Sequence, residues 1–477
     1  MSWEAVIGIE IHVQLRTERK LFCGNRVVFG DAPNTHVCPV CLGLPGALPT
    51  VNPEAVRLAL RTALALDCTV HERSVWARKN YFYPDLPKGY QISQFEEPLA
   101  TDGTVVFNVD GEERSVRIRR IHMEEDAGKL IHDRFPDATA VDLNRAGTPL
   151  VEIVTEPDLR SPAATRAFLA ALKQMLEYVG VSDCNMEEGS LRADANVSLR
   201  RSGTEPLGTK TEIKNVNSFS GIEKALELEI ERQREVLGSG ERIEQQTLLW
   251  DDHVGRLRPM RTKEESHDYR YFPDPDLPTL RVTWEEVEDV RRALPELPRA
   301  RRARFVREHG LSEYDAGVLT QTVTTADYFE EVARGLGEAK VAANWVMGPV
   351  QALVKERTEE AADGFPVSAP RLVELLTLLR DGVVSDSAAK KVLGKLAVEA
   401  SSAREIVERE GLVQVRDTAQ LEAWVAEVVE AHPEEVERYR GGEDRLLGFL
   451  VGRVMARSGG QADPRQVNEL LRSTLAS

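Results

Sequence analysis

Hydrophobic and polar residues alternate along residues 6–15. Ile9, Ile11, Val13 and Leu15 fall on one face, and Glu10, His12 and Gln14 on the other. A period of two predicts a half-buried strand whose open face carries an acid and a histidine side by side. The same period runs through Val116 and Ile118, then resumes with flipped parity at Ile121 and Met123, with Arg119-Arg120 between them. Such a slip predicts a β-bulge, a device that re-aims side chains. Just beyond it come His122, Glu124, Glu125 and Asp126. Continued as a strand, His122, Glu124 and Asp126 share a face and Glu125 points the other way. Residues 142–156 place Glu152 and Glu156 on one parity. Residues 193–200 alternate most clearly, with Ala193, Ala195, Val197 and Leu199 inward and Asp194, Asn196, Ser198 and Arg200 outward. In the next run Lys210, Glu212 and Lys214 share a face.

Strand after strand therefore carries acids or their partners on one side and aliphatics on the other. That pattern predicts a largely antiparallel sheet with one wet face and helices over the other. Helix starts are also legible: Asn52-Pro53-Glu54 offers an N-cap, a proline at N1 and an acid, and Ser161-Pro162 opens a long helix ending near Gly180. From about residue 294 the composition turns to helix formers. The fold expected is α+β: a cradle domain over residues 1–293, an all-α domain over 294–405 and a small helical tail over 406–477.

Length and charge narrow the function. The 477 residues suffice for about three domains. A net charge of −17 argues against wrapping a long duplex, but not against a local basic patch for a folded RNA. Five cysteines in a chain this long make no disulfide scaffold, so a reducing, cytoplasmic setting is expected. No apolar run is long enough to span a bilayer, and the start goes straight into a patterned strand without a signal peptide; no membrane partner is expected.

Several stretches carry chemistry. If the wet face is concave, acids from separate strands converge, and a hard cation such as Mg²⁺ takes one or two carboxylates plus substrate phosphate. Cys-Pro-Val-Cys at 38–41 has zinc-knuckle spacing, with Cys23 upstream. Three thiolates need a fourth ligand: Asn25 stands where a Cys-x-Cys pair would supply one, His36 is a candidate, and so is a residue distant in sequence. Residues 78–90, from Arg78 to Tyr90, read as a loop interleaving positive charges with aromatics, suited to phosphates and stacked bases. Residues 269–278 form a proline-stiffened arm. In the tail, Arg440, Arg445, Arg453, Arg457, Arg465 and Arg472 make the best nucleic-acid contact outside the sheet. No Walker A loop, Gly-x-Gly-x-x-Gly, Gly-x-Ser-x-Gly elbow or His-Glu-x-x-His occurs, so any ATP is handled outside the P-loop template.

Longer motifs point to a family. Val-Ile-Gly-Ile-Glu-Ile-His-Val-Gln-Leu, Leu-Gly-Leu-Pro-Gly-Ala-Leu-Pro, Lys-Asn-Tyr-Phe-Tyr-Pro-Asp-Leu-Pro-Lys-Gly-Tyr-Gln-Ile-Ser-Gln, His-Met-Glu-Glu-Asp-Ala-Gly-Lys, Met-Glu-Glu-Gly-Ser-Leu-Arg and Asp-Tyr-Arg-Tyr-Phe-Pro-Asp-Pro-Asp are similar to the GatB family of the tRNA-dependent amidotransferases, from residue 3 to the C-terminus. The tail resembles that family's YqeY-type domain. The resemblance implies that ATP phosphorylates the side-chain carboxylate of Glu-tRNA(Gln) and/or Asp-tRNA(Asn). Ammonia then displaces the phosphate, channelled from a partner amidase subunit, with a small third subunit bridging the two. It implies catalytic roles for Glu10, His12, Glu124, Glu125, Lys79 and Lys88, and Mg²⁺ at His12, Glu124, Glu125, Glu152, Asp194 and Glu212. Lys79 and Lys88 would bind phosphate or, with Glu125, gate and deprotonate ammonium. Substrate and tRNA would be held by Tyr81, Tyr83, Ser190, Arg192, Lys210, Arg453 and Arg457. Zinc would sit at Cys23, Cys38 and Cys41; many relatives face the knuckle with a Cys-x-Cys pair, of which Asn25 replaces one cysteine here.

Overall fold

The computed structural model describes residues 2–260, 269–356, 364–414 and 417–476. They fall into two compact units, Met1–Pro298 and Arg299–Ser477.

The first unit is built on a nine-stranded sheet. Its centre is the strand Trp3–Gln14, with Pro149–Thr155 on one side and Leu191–Arg201 on the other. Beyond Pro149–Thr155 come Glu112–Glu125, Ala100–Val109 and Thr69–Val70; beyond Leu191–Arg201 come Thr211–Lys214, Thr247–Asp251 and Arg256–Pro259. Neighbours run antiparallel except Thr211–Lys214 and Thr247–Asp251, which are parallel. The flipped parity around Arg119 is a bulge. Arg120 lies opposite Val154 and Ile118 opposite Thr155, which leaves Arg119 without an opposite number on that strand.

One face of the sheet is dry. Ile7, Ile11 and Val13 of the central strand are fully buried. The helices Pro162–Tyr178 and Phe219–Gly238 contribute Phe168, Leu172, Ile222 and Leu226 to the same core, and the Phe168 ring meets Phe107 edge-on at 6.0 Å. The predicted caps form: Asn52 accepts from the Glu54 N–H at 3.0 Å ahead of Pro53–Ala65, and Ser161 from the Ala164 N–H at 3.2 Å.

Residues 78–90 are not one loop. Trp76–Asn80 and Tyr90–Gln94 are paired strands, Lys79 lying opposite Gln91, and only residues 81–89 connect them. Aromatic and β-branched residues at both ends favour pairing over an open loop. The arm supplies a third strand, Phe272–Pro273, whose proline is tolerated because the strand is an edge. Arg78 pins it, donating to Asp274 at 2.8 Å and Asp276 at 2.9 Å.

The second unit is helical and contains two hydrophobic clusters, one spanning Phe305 to Val407 and one Leu421 to Leu475. The helix Ala339–Trp345 runs on into a π-helical turn, Val346–Val350, where Pro349 has no N–H to give to an α-helical bond. Among the described residues no helix is long and apolar enough to cross a membrane.

Candidate active site

Strand parity puts Glu10, His12 and Gln14 on the wet face, and register decides what they meet. Arg192, His12, Glu152 and His122 stand opposite one another across four adjacent strands. The neighbouring row is Asp194, Glu10, Val154 and Arg120. Side chains directly opposite in a sheet lie close enough to interact, so each row is a line of contacts.

The first row closes into a buried cluster. His12 Nε2 lies 3.4 Å from Glu124 and 3.4 Å from Glu152; His122 Nε2 lies 3.2 Å from the same Glu152 oxygen and 3.9 Å from Glu124. Burial draws the His12 imidazole down, but the hydrogen bond to Glu152 and the charges of Glu124 and Glu152 outweigh it, and the net direction is up. Glu152 moves the opposite way: burial raises it, while the His122 charge and hydrogen bonds from both histidines hold it well below the usual carboxylate range. Lys79 enters from the small sheet with its Nζ 5.0 Å from the Tyr269 ring centre. Burial lowers its ammonium, but the Glu124 charge pushes it up on balance. The His12, Glu124 and Glu152 donor atoms all lie within 4.8 Å of one another, which fits a divalent cation. His122 faces these carboxylates through Nε2, while its Nδ1 is buried without a hydrogen-bond partner among the described residues.

The second group surrounds Lys214, whose Nζ lies 2.6 Å from Asp194 and 3.0 Å from Glu212. Glu10 borders both groups. Asn196 donates to it at 3.3 Å, and burial with the charges of Glu152, Glu212 and Asp194 raises its carboxyl against the opposing pull of Lys214.

Glu125 takes no part in either. On the opposite parity, its carboxylate receives the Lys88 ammonium and, at 3.0 Å, the Ile92 N–H. The single ring expected of His12, Glu124, Glu125, Glu152, Asp194 and Glu212 is thus three groups. Successive residues of one strand cannot face the same way.

Asp126 completes the wet face. It accepts from Gln14 at 2.9 Å and Arg192 at 3.0 Å, with Arg145 at 3.6 Å. Burial raises its carboxyl, but the Arg192 and Arg145 charges and the Gln14 bond hold it below the ordinary value. Ser190 is turned to local work: it accepts the Asn185 N–H at 2.7 Å and donates to Asp183. Tyr81 packs edge-on to Tyr269 with ring centres 6.1 Å apart, Tyr83 is exposed, and Lys210 is an exposed residue lining a pocket beside Glu10. In the second unit Arg453 stacks 4.9 Å over Phe449, and Arg457 pairs with Glu427 at 2.7 Å.

Sequence reasoning named neither Lys214 nor Asp126 as a site residue, although parity placed both on the wet face. Cys23, Cys38 and Cys41 do gather, their sulfurs within 4.8 Å of one another, but His36 is engaged elsewhere, its Nε2 2.6 Å from Asp31.

Residues 5–288 match the family model described as the GatB/GatE catalytic domain, and residues 327–475 match the one described as the GatB domain. The chain belongs to the GatB family. It is 52% identical over 477 residues to the aspartyl/glutamyl-tRNA(Asn/Gln) amidotransferase B subunit of Moorella thermoacetica, with 100% of each chain covered. It is 52% identical over 475 residues to the protein of that name from Chlorobium phaeobacteroides, and 50% over 478 residues to that of Nitrosococcus oceani, again with 100% of each covered. Both acidic groups and the Lys88–Glu125 pair fall within the GatB/GatE catalytic match, and Arg453 and Arg457 within the GatB domain match.

Proposed function

We propose that this chain is the activating and amidating subunit of a heterotrimeric tRNA amidotransferase. In this reading it uses ATP to phosphorylate the side-chain carboxylate of Glu-tRNA(Gln), Asp-tRNA(Asn) or both, and ammonia then displaces the phosphate to give the amide. A partner amidase subunit releases the ammonia from glutamine, and a small third subunit completes the assembly. Beyond family membership, one observation supports this: two acidic groups, each already interleaved with cations, share one face of one sheet.

The reaction brings two anions together, a nucleoside triphosphate and a carboxylate, so bare protein carboxylates would repel both. Mg²⁺, when bound, would neutralise charge on the transferring phosphoryl group. His12, Glu124 and Glu152 are the residues to hold it, with Glu10, Asp194 and Glu212 as a second carboxylate set. Arg192, opposite His12 and fastened by Asp126, is a guanidinium at the edge of this cluster and suits an anionic oxygen. Lys79, on the Glu124 side, has the same chemistry. Glu125 is a buried carboxylate that already accepts an ammonium, that of Lys88, so the same oxygen suits an incoming ammonium ion. In exchange for Lys88 it would hold the ammonium ion, take one proton and leave neutral ammonia facing the activated carboxyl. The tRNA would meet Tyr81, Tyr83 and Lys210 on the first unit and Arg453 and Arg457 on the second.

Glu125→Gln in the reassembled heterotrimer is the test. Amide formation should stop while glutamine hydrolysis by the partner and tRNA binding persist. Amidation at the wild-type rate would end the assignment.

A further inference from the structure

The cysteine knuckle has a buried cation beside it. Lys20 is 0% exposed. An ammonium has three donors, and all three are placed: His36 O at 2.7 Å, Leu143 O at 3.4 Å and Cys41 Sγ at 3.7 Å. No carboxylate pairs with it among the described residues, and a buried charge without a counter-charge is strongly disfavoured. Cys41 Sγ lies within its reach, and as a thiolate it would supply the counter-charge. That sulfur also receives the Cys38 N–H at 3.1 Å and the Asn25 side-chain NH₂ at 3.6 Å. Turning the Asn25 amide over would aim its oxygen at the same sulfur, anion against acceptor, so the NH₂ orientation is the favourable one.

The surroundings do not suit a four-ligand zinc site. Its sulfurs number three. Lys20 and Asn25, the side chains that approach Cys41, come as N–H donors, and an ammonium has no lone pair to give. His36 contributes its carbonyl to Lys20 and its ring to Asp31. The cluster also backs onto the site: a Cβ built at Gly147 would lie 3.4 Å from Lys20, 3.6 Å from Cys41 and 3.8 Å from Glu125.

We propose that in this chain the Lys20 ammonium takes the charge-balancing place of a metal, so that Cys23, Cys38 and Cys41 form a zinc-free thiol cluster that walls the Glu125 side of the site. Nothing in this depends on the amidotransferase reading, because the test reads metal content and stability.

The test is metal analysis of the full chain, purified and washed with chelator, against the Asn25→Cys variant. Wild type should carry far less than one zinc per chain. The variant completes a tetrahedral four-thiolate set and should carry about one, its residual negative charge still offset by Lys20. A full, chelator-resistant equivalent of zinc in wild type overturns the proposal, as does an Asn25→Cys protein that binds none. Lys20→Met supplies a second measurement. It should lower the unfolding temperature of wild type, and zinc-loaded Asn25→Cys should lose at least as much, because a four-thiolate zinc keeps a net negative charge that Lys20 offsets. A Lys20→Met protein as stable as its parent would contradict the role given to Lys20, and if Lys20→Met does not fold, the zinc content decides alone.

Discussion

Replacing Lys214 by Met tests whether the wet face is organised around cations. The Lys214 ammonium lies 2.6 Å from Asp194 and 3.0 Å from Glu212, with side-chain exposures of 34%, 18% and 21%. At an effective dielectric near 20, an ion pair at about 3 Å is worth roughly 5 kcal/mol before any desolvation. Screening at this exposure and the hydration lost by the charges reduce the net loss to about 2 kcal/mol. For a unit of this size that corresponds to a fall of about 4 °C in unfolding temperature. Methionine keeps most of the aliphatic stem, so packing changes little. The variant leaves Glu10, Asp194 and Glu212 with no cation between them, and a divalent ion should then substitute. Thermal unfolding followed with and without millimolar Mg²⁺ should show the variant recovering more than wild type, because a ligand bound only by the folded state adds RT ln(1 + [L]/Kd). Mild acid should act in the same direction. The folded-state pKa of Glu10 is raised, so its unfavourable contribution is relieved as pH falls through that value. A variant as stable as wild type in chelator at neutral pH, or one indifferent to Mg²⁺, would refute the electrostatic account.

Three further outcomes follow from particular contacts. Asp126→Asn removes a carboxylate held below its ordinary value of 3.8, so its stabilisation is present above that pH and lost beneath it; denaturation against pH should show a gap from wild type that holds down to about pH 4 and narrows below. Gly208→Ala would place a Cβ 2.1 Å from the Leu199 carbonyl oxygen, a backbone clash that should cost about 2 kcal/mol or more, whereas Gly238→Ala, with nothing within 4 Å, should leave the unfolding midpoint within about 0.5 kcal/mol or raise it. If the tail holds tRNA, Arg453→Ala and Arg457→Ala should each make the log Kd against log salt plot shallower by about one unit, and unchanged slopes would remove these arginines from the interface.

The sequence by itself determined the strands and the faces they present. Alternation at Ile9, Ile11 and Val13 requires a dry side and a wet one, the flipped parity at Arg119 requires a bulge, and Asn52 and Ser161 start helices because their side chains satisfy free N–H groups. It also separated Glu124 from Glu125, since neighbours in a strand oppose one another. Strand order and lateral register were decided only in three dimensions. The central strand lies between residues 149–155 and 191–201, far from it along the chain, and that placement sets His12 opposite Glu152 and Arg192. Parity cannot foresee that Lys214 reaches Asp194, that Asp126 fastens Arg192, or that Lys20 is buried against Cys41. Each is a long-range pairing of charges, and local periodicity carries no information about which distant strand or loop will bring the partner.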